Sequence, residues 1–105
     1  IFVKDIAQKT DAYQLSKALI LDDLAEFNAK PELEIYADDV KCSHGSTSGS
    51  IDEDAIHYLM TRGIELSKAK KLLIIGFLNE IFENVPEKEI KIFLEKSIED
   101  QIDGI

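Results

Sequence analysis

One cysteine and one histidine stand two positions apart in this chain. Cys42 is the only cysteine among the 105 residues, and His44 is one of two histidines. If residues 41–45 are extended, both side chains point to the same face, because successive side chains of a strand alternate. A thiol and an imidazole suit iron, copper or zinc. Two ligands cannot close a four-coordinate site, so a metal here needs further ligands from another segment or chain.

The same pair also fits simpler roles. A lone cysteine commonly packs as a small apolar residue, and a histidine beside a Gly/Ser stretch is often a turn residue. A nucleophilic Cys–His pair would need a third, orienting group and an oxyanion site, neither of which is apparent in the sequence. We predict that the isolated chain is not an enzyme, and packing stays open as the alternative to metal ligation.

Other polar residues carry weaker signals. His57 falls on the boundary of a helical pattern and is predicted to be structural. Asp38 and Asp39 lack the surrounding pattern of a calcium loop and are predicted to form a solvated corner. Three lysines near the start of a predicted helix indicate a solvated face, or a contact with an acidic partner: Lys68, Lys70 and Lys71.

Composition excludes several classes of protein. The net charge of −9 disfavours nucleic-acid binding, because an acidic surface repels a phosphate backbone. No apolar run is long enough for a membrane span, so no membrane partner is expected. A single cysteine excludes an internal disulfide framework and fits a reducing compartment such as the cytoplasm. The chain opens at Ile1 inside a strand-like run, which indicates a piece of a longer protein.

Residues 1–50 read as short strands. Tyr13, Leu15 and Leu19 alternate with residues of the opposite face such as Gln14 and Ser16, which predicts a strand. Leu33 and Ile35 share one face of a later strand. Further extended pieces are predicted at 2–6 and 24–27, and a Ser/Gly-rich turn at 46–50. These strands fit a meander, a piece of a sandwich, or the rungs of a parallel β-helix.

Residues 51–105 read as three helices. Asp52 and its acidic neighbours predict a helix start, and Gly63 predicts its end. Ser67 is the predicted N-cap of a second helix, apolar on nearly all sides and therefore expected to be buried between neighbours. Pro86 is expected in the first turn of a third helix. The predicted fold class is α+β, with domains at 1–50 and 51–105.

The segment around the Cys-x-His pair resembles a known family. Lys-Pro-Glu-Leu-Glu-Ile-Tyr-Ala-Asp-Asp-Val-Lys-Cys-Ser-His-Gly, residues 30–45, is similar to the signature of the SufD family, scaffold subunits of the SUF iron–sulfur cluster assembly system. Residues 10–14, 51–59, 62–64 and 76–80 resemble further segments of the same family. Three positions depart from it: Ser46 replaces the usual alanine, His57 an aromatic residue, and Met60 a basic one.

The resemblance implies a fold and a function. The fold would be the last rungs of a right-handed parallel β-helix over 1–50, followed by a C-terminal three-helix domain. The β-helix would pair with a SufB-like scaffold, and the helices would dock a SufC-like ATPase. His44, with Cys42 beside it, would contribute to a site for a transient iron–sulfur cluster, both residues being metal ligands shared with the partner chain.

Three alternatives stay open beside that implication. The first is a structural protein–protein interaction module without metal or cluster chemistry. The second is a stand-alone metal carrier. The third concerns assembly: an open end of the strand stack would allow this chain to form a homodimer.

Overall fold

A computed structural model describes residues 1–102 of the chain and shows an α+β protein, as predicted. The described strands are β1 (Phe2–Val3), β2 (Asp11–Ile20), β3 (Glu34–Ile35) and β4 (Lys41–Ser50). The helices follow as α1 (Glu53–Thr61), α2 (Leu66–Phe82) and α3 (Lys88–Ile102).

The strands pair in parallel with partners that are not neighbours in sequence. β1 pairs with β3, starting at Phe2 opposite Glu34, and β2 pairs with β4, starting at Asp11 opposite Lys41. The chain therefore passes through β1 and β2, returns, and lays β3 and β4 beside them about 30 residues later. Each described sheet has two strands and neither is closed. The β-helix itself stays a prediction.

A corner before β2 is tied to the corner before β4. The backbone N–H of Lys9 donates to the carbonyl of Asp39 at 2.6 Å. The Gln8 side chain accepts from the Asp39 N–H at 2.9 Å and donates to the Asp5 carbonyl at 2.8 Å. Lys9 has φ 63°, an uncommon value for a residue with a side chain. These bonds fix where the two long strands begin.

Two predictions in the strand region are wrong. Residues 24–27 are not a strand: the Leu24 N–H bonds to the Asp22 carboxylate at 2.8 Å, and the Ala25 N–H bonds to the Asp22 carbonyl at 3.0 Å, which makes a turn. Residues 46–50 are not a turn, because β4 continues to Ser50. Pairing with β2 supplies backbone hydrogen bonds along this stretch, so its weak strand propensity does not decide its conformation.

The first helix has the predicted ends. The Asp52 carboxylate caps α1 by accepting from the N–H groups of Asp54 and Ala55, at 2.9 and 3.2 Å. At the other end, Gly63 has φ 86°, and its N–H and that of Ile64 bond back to the carbonyls of Met60 and Leu59. This is a Schellman motif, which a left-handed glycine favours.

The second and third helices differ in detail from the prediction. α2 is preceded by Glu65 as N-cap, so Ser67 lies inside the helix. α3 starts at Lys88, two residues after Pro86. Among the described residues, α1 and α3 both pack on α2. Nevertheless Leu72 and Ile81 of α2 stay largely exposed, so the expectation of burial on nearly all sides is not met.

Contacts divide the chain into two compact units. The first is Ile1–Ser50, and the second begins at Ile51. Buried apolar side chains in the described part are Val3 and Ala37 in the first unit, and Ala69, Phe82 and Ile102 in the second. That these units are the two predicted domains, 1–50 and 51–105, stays a prediction. Residues 103–105 lie outside the described residues. None of the helices within 1–102 is long and apolar enough to cross a membrane.

Candidate functional site

Both residues of the predicted pair lie at the start of β4. Cys42 is a half-buried free thiol, and His44 is exposed. Because they are two positions apart in a continuous strand, their side chains lie on the same face. On the neighbouring strand, Ala12 is the register partner of Cys42 and Gln14 that of His44.

The start of β4 is held by its hydrogen bond to the preceding coil. The Lys41 N–H donates to the Thr10 carbonyl at 2.9 Å, next to the corner described above. This bond and the Asp11–Lys41 register place Cys42 one residue into the ladder. A shift of one residue would send Cys42 and His44 to the opposite face, so the corner determines where the pair points.

On the other face of the two strands, one side chain comes close to the backbone of β4. A Cβ atom added to Gly45 would lie 2.7 Å from the Tyr13 hydroxyl oxygen and 3.5 Å from a Leu15 methyl carbon. Tyr13 therefore covers the backbone immediately after His44. A larger residue at position 45 would therefore require the Tyr13 hydroxyl to move.

The pair can supply two ligands and no more. Within residues 1–102 no three His, Cys, Asp or Glu side chains are grouped so that they could hold a metal ion. Thiolate and imidazole nevertheless fit iron and its clusters by ligand type. A metal or cluster at Cys42 and His44 would need its other ligands from outside the described residues, and the described sheet leaves one side of β4 without a strand.

The other sequence candidates lie elsewhere. Asp38 and Asp39 are exposed, and Asp39 takes part in the corner through its backbone. His57 is exposed on α1, in the second unit. The three lysines are on α2: Lys68 and Lys70 are exposed and Lys71 is half-buried. Roles for these residues stay predictions.

Sequence reasoning did not single out Gln14. It becomes a neighbour of His44 only through the pairing of strands that are 30 positions apart. The available signal was a charged residue followed by a small one at the start of two extended segments, Asp11-Ala12 and Lys41-Cys42, at that same separation.

The described fold and site define an α+β chain with two pairs of parallel strands, three helices, and a thiol and an imidazole on one strand face that do not enclose a metal site by themselves. Over residues 1–77 the chain matches the family described as SUF system FeS cluster assembly, SufBD core domain. This chain belongs to that SufBD core family.

Curated relatives agree with the family match. The chain is 45% identical over 91 residues to the iron-sulfur cluster assembly protein SufD of Escherichia coli, covering 87% of this chain and 22% of that protein. It is 45% identical over 89 residues to the chloroplastic protein ABCI7 of Arabidopsis thaliana, covering 85% and 19%. Against SufD of Bacillus subtilis the identity is 36% over 96 residues, covering 91% and 22%. The chain thus spans about a fifth of the length of these relatives.

Proposed function

We propose that this chain acts as part of a scaffold on which iron–sulfur clusters are built. His44 and Cys42 contribute ligands or hydrogen bonds to a transient cluster at the interface with a SufB-like scaffold. The helical unit docks a SufC-like ATPase. The cluster is the cargo of this scaffold, delivered onward after assembly, so the isolated chain is not expected to retain it.

The placement of the pair on β4 is the observation that carries this proposal. A half-buried thiol and an exposed imidazole share one face of a strand whose start is fixed by the corner. Such a pair is available to a partner and incomplete by itself. Exposure of His44 argues against the simpler reading in which both residues only pack.

The parallel pairing supports the proposed β-helix. Parallel strands need a crossover of a dozen or more residues, and here the connection from β2 to β4 contains β3, which pairs with β1. In a β-helix the chain adds strands turn by turn, and each strand pairs in parallel with the corresponding strand of the preceding turn. On this proposal residues 1–50 are its last rungs and the helices from Ile51 follow.

The chain is proposed to have no catalytic activity of its own. Cys42 and His44 lie on one face of β4, where they serve as ligands rather than as a nucleophile and its base. A thiol that binds iron must stay reduced, so we propose that the chain works in a reducing compartment such as the bacterial cytoplasm. Substitution of His44 distinguishes a cluster-building scaffold from a purely structural module.

Substitution of the exposed histidine tests the proposal. His44→Ala in the complex of scaffold, sister scaffold and ATPase should abolish cluster formation while leaving assembly of the subunits intact. The reason is that an exposed side chain contributes little to folding, whereas a missing ligand leaves the site incomplete. The readouts are the visible absorbance of the cluster and the size of the complex by gel filtration.

The chain provides its own matched control. His57 is the other histidine, is also exposed, and lies in the second unit. His57→Ala should leave cluster formation unchanged. Full cluster formation with His44→Ala would remove the site assignment and favour the structural module.

A further inference from the structure

We propose that Gln14 is a positioning residue for His44. Its side-chain carbonyl oxygen accepts a hydrogen bond from the imidazole N–H that does not face the cluster, and so fixes the orientation and tautomer of the ring. This inference deepens the proposed function and rests on it only for the consequence in cluster assembly. The strand register that sets Gln14 opposite His44 does not depend on that function.

The strand register brings the two residues together. Gln14 of β2 is the register partner of His44 of β4, and in a paired sheet such partners point to the same face. Neighbouring strands lie about 4.8 Å apart, a separation that a glutamine side chain spans. Gln14 is half-buried, and His44 is exposed.

Other residues on this face are less suited to the role. Ala12 has no acceptor, and Cys42 is itself a proposed ligand. Ser16 and Ser46 form the next register pair on the same face, one side-chain repeat further along, which is about 6.6 Å away. Gln14 combines an acceptor oxygen, adequate length and the position directly opposite His44.

The chemistry explains why such a partner matters. A histidine that binds metal through one ring nitrogen usually donates its other N–H to an oxygen, which sets the tautomer and the ring orientation. An amide oxygen does this without adding charge to an already acidic chain. Loss of such a partner typically lowers metal affinity or activity about 10- to 100-fold.

The tautomer of His44 gives a direct test. With the chain labelled with ¹⁵N-histidine, nitrogen chemical shifts at a pH where the ring is neutral report which nitrogen carries the proton. Wild-type chain should show His44 biased toward one tautomer, and Gln14→Leu or Gln14→Met should return the ratio to that of free neutral histidine. Gln14→Glu keeps an acceptor oxygen at the same length and should retain the bias.

Two controls accompany these variants. Ser16→Ala removes a hydroxyl from the same face and strand and should leave His44 unchanged. His57, the only other histidine, serves as an internal reference in every spectrum. A wild-type His44 ratio equal to that of free histidine, or a ratio insensitive to both apolar Gln14 variants, overturns the proposal.

Cluster formation in the assembled complex supplies the second readout. Gln14→Leu should lower it about tenfold and Gln14→Glu should preserve it, with subunit association unchanged in both. Unchanged cluster formation in Gln14→Leu contradicts the positioning role. If His44→Ala is fully active while the tautomer responds to Gln14, the proposed function fails and the pairing stands; the reverse result removes only the role of Gln14.

Discussion

The two faces of the paired strands differ around Gly45. On one side lie Cys42 and His44, and on the other the Tyr13 hydroxyl approaches the glycine backbone. The shared face of Cys42 and His44 follows from the sequence alone, since two positions apart in an extended strand means one side. The approach of Tyr13 does not, because it depends on the register of strands that are 30 residues apart.

The Tyr13 contact predicts the effect of filling Gly45. Gly45→Ala should reduce the free energy of unfolding of the first unit by about 1 kcal/mol, because the Tyr13 hydroxyl must move. The cost stays small because Tyr13 is 64% exposed and has room to move. In a Tyr13→Phe background the close oxygen is gone and the same change should cost almost nothing. Chemical denaturation of the four proteins measures this coupling.

A second glycine on β4 provides the control. Gly49 has open space where its Cβ would be, so Gly49→Ala should not destabilise the strand. An equal cost at Gly45 and Gly49, or a cost at Gly45 that persists with Tyr13→Phe, would contradict the packing described.

At the scale of elements, local signals predicted the ends of α1 and failed for β4. Asp52 and Gly63 act on their own neighbours through hydrogen bonds and backbone conformation, so the sequence reveals them. Residues 46–50 are serine, threonine and glycine, which resemble a turn locally, and only the ladder with β2 makes them a strand. α2 likewise looks like a fully buried helix by composition, yet two neighbouring helices leave part of it exposed.

The exposed apolar residues of α3 lead to a prediction about docking. Ile90 and Phe93 are one helical turn apart and are 50% and 69% exposed. If the helical unit docks the ATPase through this surface, Phe93→Glu should weaken binding about tenfold or more, because a charge would enter an apolar contact. Calorimetry or a pull-down with the purified ATPase measures the loss.

A charge placed elsewhere tests whether that loss is local. Leu24 is also strongly exposed, but it lies in the first unit. Leu24→Glu should leave ATPase binding unchanged. Equal binding by wild type and Phe93→Glu would exclude this part of α3 from the docking surface.

At the scale of the whole molecule, two features limit which partners and ligands the chain can bind. Its net charge of −9 favours partners with basic surfaces over nucleic acids. Within residues 1–102 no three possible metal ligands are grouped, so a metal bound at Cys42 and His44 would need further ligands from outside these residues. The α+β class and the SUF family were recognisable from sequence, whereas the parallel register that gives His44 its neighbour was not, because pairing between distant strands leaves no local pattern.

Contact between His44 and the growing cluster is the central claim, and one measurement addresses it. The complex is assembled with only this chain carrying ¹⁵N-histidine, and the reduced cluster is examined for nitrogen hyperfine coupling by electron paramagnetic resonance. We expect a ¹⁵N coupling that persists with His57→Ala and is absent with His44→Ala. A cluster formed in normal yield without any ¹⁵N coupling from this chain would contradict the account.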